Sequence, residues 1–102
     1  MRILILGGSG YIGFALANYL SDFFKVTLCT RSITRVKSLQ KKFLIIKSNY
    51  FNFKELKKTI KGHDVVIHCV GMSSAQLLKN NRGLELKKKI TQNIVMACNY
   101  HN

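Results

Sequence analysis

The chain is 102 residues long with 47% apolar residues, enough for one domain around one modest core and leaving no room in it for a separate substrate-binding domain. Its 17 lysines and arginines face four acidic residues, a net charge of +13; Arg2 and Asp22 cancel in residues 1–24, so the whole surplus lies from Lys25 onward. Runs such as Lys87-Lys88-Lys89 read as solvated helix faces, and no nucleic-acid-binding motif accompanies them, so nucleic acid is the weaker reading of the charge. The cysteines Cys29, Cys69 and Cys98 are odd in number and widely spaced. That spacing argues against a disulfide framework or a zinc site and fits a reducing cytoplasm. A signal peptide over residues 1–20 is interrupted by Gly7-Gly8-Ser9-Gly10, and no apolar run reaches the ~18 residues of a membrane span.

Short apolar runs alternate with longer amphipathic ones, the pattern of parallel βαβ units. Strands are expected at Arg2–Leu6, Val26–Cys29, Phe43–Ile46 and Val65–Cys69. Helices are expected at Tyr11–Phe24, with Ile12, Ala15, Leu16, Tyr19 and Leu20 at helical spacing, at Ile33–Lys42, at Phe53–Lys61 with Leu56 and Ile60, and over about Leu84–Asn99 with Ile90, Ile94, Ala97 and Cys98 on one face. Right-handed crossovers favour the strand order 3-2-1-4. The fold class expected is therefore α/β, a parallel sheet of about four strands flanked by helices, in one domain over residues 1–102.

The run Gly7-Gly-Ser-Gly10-Tyr11-Ile12-Gly13 follows the first strand and opens the first helix. In that context it reads as a Rossmann-type dinucleotide-binding turn. Gly7 permits the tight turn, Gly10 lets the backbone approach a pyrophosphate, and Gly13 allows close helix-to-strand packing. The N–H groups and dipole of the helix start, around Tyr11 and Ile12, then face the phosphates.

This arrangement resembles the extended and atypical short-chain dehydrogenase/reductases, the NAD-dependent epimerase/dehydratase family, whose glycine motif is G-x-x-G-x-x-G. Lys61-Gly-His-Asp64-Val-Val-Ile-His68-Cys-Val-Gly71 is similar to that family's fourth strand, written K-G-x-D-x-V-I-H-x-A-G. Gly71-Met72 with Ser73 to Gln76 is similar to members linked to surface polysaccharide synthesis. The resemblance implies an NAD(P) cofactor, with the backbone of Val70 and Gly71 on the nicotinamide-ribose side, and a chain that is the N-terminal portion of such a protein. His68, inside the strand, is expected to pack against the sheet.

After the second strand, NAD-using Rossmann proteins place an acidic residue for the ribose hydroxyls. Here the sequence reads Cys29-Thr30-Arg31-Ser32. Arg31 with neighbouring hydroxyls suits the 2′-phosphate of NADP, reinforced by Arg35 and Lys37; its alternative is an exposed arginine starting a helix. NADP is therefore expected, with NAD as the alternative. After the third strand the family has a G-D-L step whose aspartate accepts from the adenine amino group, whereas this chain has Ser48-Asn49-Tyr50. The Asn49 amide oxygen can accept the same bond, or Asn49 can be a turn residue.

The family's catalytic serine or threonine and Tyr-x-x-x-Lys helix would lie beyond Asn102. Tyr50-Phe-Asn-Phe-Lys54 matches the spacing but falls at the adenine end, the wrong place for catalysis. Lys87 stands where the family often has an asparagine. No catalytic or metal-ligating residue is expected in this chain. The leading reading is the NAD(P)-binding portion of a nucleotide-sugar epimerase, dehydratase or reductase, inactive without a C-terminal portion encoded downstream. A non-catalytic NADP(H) sensor is the second reading and a basic nucleic-acid-binding protein the third.

Overall fold

The computed structural model describes residues 1–7, 11–30, 43–70 and 81–101. Strands β1 (Arg2–Leu6), β2 (Lys25–Thr30), β3 (Leu44–Lys47) and β4 (Val65–His68) form a sheet in the order β3-β2-β1-β4, with helices α1 (Tyr11–Leu20), α2 (Phe53–Ile60) and α3 (Asn81–Tyr100). Every adjacent pair is parallel, with Ile5 level with Leu28 on one side and Ile67 on the other. The expected order and class are those observed. The helix expected at Ile33–Lys42 lies outside the described residues.

Alternation along β1 divides the core in two. Ile3 and Ile5 pack with Val26, Leu28, Ala17 and Phe43, joined by Phe14, Leu16 and Leu20 of α1. Leu4 and Leu6 face the other way, into Cys29, Tyr50, Leu56, Ile60, Ile90, Ile94 and Ala97 from β2, α2 and α3. The two-residue period of a strand is what lets one strand serve both layers.

Several boundaries differ from the sequence expectation. Helix α1 stops at Leu20 rather than Phe24, where the amides of Asp22 and Phe23 tighten onto the carbonyls three residues back, Tyr19 at 3.4 Å and Leu20 at 3.0 Å. The chain is then in place for Lys25 to donate to the Met1 carbonyl at 3.3 Å and start β2. Phe43 is not in β3; its ring meets Phe14 edge-on at 5.8 Å beneath α1. Asn52 caps α2, its Oδ1 accepting the Glu55 amide at 3.1 Å. Lys57 then fastens α2 to α3, its Nζ 4.1 Å above the Tyr100 ring while its carbonyl accepts His101 Nε2 at 2.7 Å.

The Lys61-Gly-His-Asp64 segment serves the sheet. Gly62 takes a φ of +84° just past α2, a conformation glycine adopts without penalty. Asp64 then pairs with Arg2 twice, its carboxylate accepting the Arg2 amide and its amide donating to the Arg2 carbonyl, both at 2.8 Å. That clamp sets the register between β1 and β4.

Candidate functional site

The strand order reverses between β1 and β4, since β1 leads to β2 on one side while β4 arrives on the other. In open parallel sheets this is where a crevice opens outside the carboxyl ends of the strands. Gly7 follows β1 there with a φ of +92°. A Cβ on it would stand 2.6 Å from the Val70 nitrogen and 2.7 Å from the Cys69 carbonyl carbon. The backbone leaving β4 is therefore seated directly on Gly7, and only glycine supplies both the φ and the space.

The Gly7 amide donates to the Cys29 carbonyl at 2.9 Å. The same amide lies 3.0 Å from the Tyr50 hydroxyl, which in turn donates to the Cys29 carbonyl at 3.0 Å. Tyr50, 1% exposed, thus ties the ends of β1 and β2 from below. Its own carbonyl accepts from Asn93 Nδ2 of α3 at 3.1 Å, and Asn93 is itself buried. Sequence reasoning met Tyr50 as the last residue of the Ser48-Asn49-Tyr50 step and as a misplaced Tyr-x-x-x-Lys match, and missed Asn93. The signal available for Asn93 was a polar side chain on the Ile90–Ile94–Ala97 face. Beside Tyr50, burial pushes the Cys29 thiol up to about 11, which leaves it protonated and unreactive.

On the β4 side, Val70 donates its amide to His68 Nδ1 at 3.1 Å, and His68 Nε2 lies 2.9 Å from Thr91 Oγ1. The Thr91 hydroxyl donates to the Lys87 carbonyl at 3.0 Å, so it accepts from the imidazole. Nδ1 is the acceptor and Nε2 carries the proton, which makes His68 the neutral tautomer. Burial, and secondarily the nearby Lys87 charge, lower its pKa from the ordinary value. His68 is half-buried, and its ring bridges β4 to α3 through Thr91.

At the end of β3, Asn49 is exposed and its Oδ1 accepts the Phe51 amide at 3.0 Å, while its own amide donates to Glu55 Oε1 at 3.2 Å. This is an Asx turn, and it leaves the second lone pair of the amide oxygen uncommitted to it. Lys47, Ser48, Asn49 and Glu55 line an open groove of about 400 Å³ there. The structure brings Gly7 and Val70 into contact and puts Asn49 at the same carboxyl edge of the sheet. Ile12, 70% exposed, and buried Gly13 lie in the first turn of α1. Tyr11 opens that helix, though its side chain, like Gly10, Arg31 and Gly71, lies outside the described residues.

Comparison with known proteins agrees with this architecture. The family model described as NAD(P)H-binding matches residues 7–102. The chain is 31% identical to short-chain dehydrogenase/reductase family 42E member 1 of Danio rerio, the match taking in 97% of this chain and 26% of that protein. Among solved structures, Pen from Bacillus thuringiensis superposes with a TM-score of 0.82 at 22% identity, over 94% of this chain and 32% of that one. UDP-glucose 4-epimerase from Bifidobacterium longum, in complex with NAD+ and UDP, gives a TM-score of 0.80 at 15% identity, over 100% and 34%. A mutant uronate dehydrogenase from Agrobacterium tumefaciens complexed with NAD gives 0.71 at 18%, over 98% and 37%. The chain spans about a quarter of its curated relative and about a third of these structures.

Proposed function

We propose, from the premise that this chain belongs to the NAD(P)H-binding family and forms an NAD(P)-binding domain of the epimerase/dehydratase-like short-chain dehydrogenase/reductases, that it holds NADP across the carboxyl ends of its strands. It does so as the cofactor-binding portion of an oxidoreductase acting on a nucleotide sugar. The observation that carries the reading is the switch point between β1 and β4, where Gly7 leaves β1 at a left-handed φ and is packed against the backbone that leaves β4. Open parallel sheets take a dinucleotide in the crevice outside the carboxyl ends of the strands at such a point.

The residues divide the work. The glycine run through Gly10 to Gly13, with the Tyr11 and Ile12 amides, takes the pyrophosphate at the start of α1. Arg31 takes the 2′-phosphate as a charge-assisted pair, the acceptor oxygen of Asn49 meets the adenine amino group, and Val70 with Gly71 borders the nicotinamide ribose. The bound nicotinamide supplies hydride transfer. This chain's part is to bind and orient. Substrate positioning and proton transfer belong to a C-terminal portion of the kind that makes up the rest of its relatives' length, and that portion is its partner in this reading. The three free thiols suit a reducing cytoplasm. No helix among the described residues is long and apolar enough to cross a membrane.

Calorimetric titration of the chain with NADP, NADPH, NAD and NADH tests the reading. Saturable binding at one site, tightest for the phosphorylated cofactors, is expected. Absence of binding to all four overturns it.

A further inference from the structure

Tyr50 occupies an unusual place for a phenol. Its ring is buried in the layer between the sheet and helices α2 and α3, and its hydroxyl completes a triangle with the Gly7 amide and the Cys29 carbonyl, with sides of 2.9, 3.0 and 3.0 Å. The single hydroxyl proton goes to the Cys29 oxygen, so the hydroxyl oxygen is free to accept from Gly7. Gly7 is where the glycine run leaves β1, and its left-handed φ sets the direction of that departure. Tyr50 is anchored from the far side by the Asn93 amide on its carbonyl. Helix α3 is thereby linked through the Asn93 and Tyr50 side chains to Gly7.

We infer that Tyr50 is a positioning residue for the dinucleotide site, its hydroxyl fixing the point from which the glycine run departs and hence the aim of the amides that meet the pyrophosphate. This inference rests on the cofactor reading above. Backbone donors act on a phosphate only when held within about 0.5 Å of the productive geometry. A leucine at this position, as in the G-D-L step, would fill the core but leave the triangle open.

The hydroxyl is separable from the fold. In Tyr50→Phe the Gly7 amide and the Cys29 carbonyl still have each other at 2.9 Å, and the ring packing is kept. Calorimetry well below the thermal midpoints of both proteins then compares dissociation constants for NADP. Tyr50→Phe should bind roughly three- to tenfold more weakly, the range of one neutral hydrogen bond. Ile60→Val, a core change away from the crevice, should lower the thermal midpoint and leave affinity unchanged. A second measurement needs no substitution: in the labelled parent, the Tyr50 hydroxyl proton should show a nuclear Overhauser contact to the Gly7 amide and shift as NADP saturates.

Equal affinity in parent and Tyr50→Phe, a loss no larger than that of Ile60→Val, or a hydroxyl resonance indifferent to saturating NADP overturns the role of Tyr50 and leaves the cofactor reading standing. A parent chain that binds no dinucleotide overturns both.

Discussion

The Val70 nitrogen lies 2.6 Å from the point that a Cβ on Gly7 would occupy, and Gly7 holds a φ of +92°. The first expected outcome follows from these two facts together. Gly7→Ala places a side chain in a left-handed conformation and against backbone that cannot rotate away, since Cys69 is itself bonded to the Leu6 carbonyl at 2.8 Å. The strain alone costs about 1–3 kcal/mol, and separating β4 from β1 adds to it. Urea denaturation should show at least that loss, and a variant as stable as the parent would contradict the contact.

Gly10 should behave differently. On the proposed reading it belongs to the part of the glycine run that approaches the pyrophosphate, so Gly10→Val is expected to weaken dinucleotide binding more than it weakens folding. Denaturation and calorimetry on the same two proteins give the comparison. Equal affinity for variant and parent counts against the phosphate site.

On the proposed reading, Arg31 carries the cofactor choice. A charge-assisted pair to the 2′-phosphate is worth about 1.5–3 kcal/mol, which corresponds to a tenfold to hundredfold preference for NADP over NAD. Arg31→Ala should remove most of that preference while leaving NAD affinity nearly unchanged. A parent without preference, or a preference that survives the substitution, excludes the role.

His68 makes stability depend on pH in a definite direction. Its pKa in the folded chain is lowered below the ordinary 6.5, first by burial and then by Lys87. Protonation would also set an Nδ1 proton against the Val70 amide that now donates to that nitrogen. Between the folded-state pKa and 6.5 the unfolded chain binds more protons, so stability rises with pH. The contribution is fully present above the unfolded value and is lost as pH falls below about 6.5. The thermal midpoint of the parent should therefore decline on acidification through this range relative to His68→Gln. Parallel curves would show that His68 is not the titrating group.

The legible parts of the sequence were those governed by local rules. The β1 run and the Gly7 turn followed by a helix were read from two-residue and 3.6-residue periods and from glycine's tolerance of positive φ. Boundaries set by tertiary contacts were less visible: Phe43 reads as strand by composition, yet its ring is drawn under α1 by Phe14. Tyr50 and Asn93 were hidden for a similar reason. Their hydrogen bonds to Gly7 and to each other each cross 43 residues of chain, and no local pattern encodes a partner at that distance. Asn49 shows the intermediate case, in which both a turn and an acceptor were readable and the geometry displays the turn.

The last expectation concerns turnover. The chain covers 26% of its curated relative, and the proton transfer that accompanies hydride movement needs an acid or base beside the nicotinamide. The Tyr50 hydroxyl cannot serve, because it is buried in the core and bonded to the Gly7 amide and the Cys29 carbonyl. General acid–base groups contribute about 10²- to 10⁴-fold, and substrate positioning is a further term that the proposed reading assigns to the C-terminal portion. Among the described residues β4 is an edge of the sheet, and Val95 and Met96 of α3 are exposed, surfaces that favour self-association in the isolated chain. Purified chain assayed with NADP(H) and a panel of nucleotide sugars should therefore show no epimerase, dehydratase or reductase activity. The same assay with a co-expressed C-terminal portion containing a Tyr-x-x-x-Lys helix should restore it. Turnover by the 102-residue chain alone would refute this division of labour, whereas activity only on mixing would establish two portions of one catalytic unit.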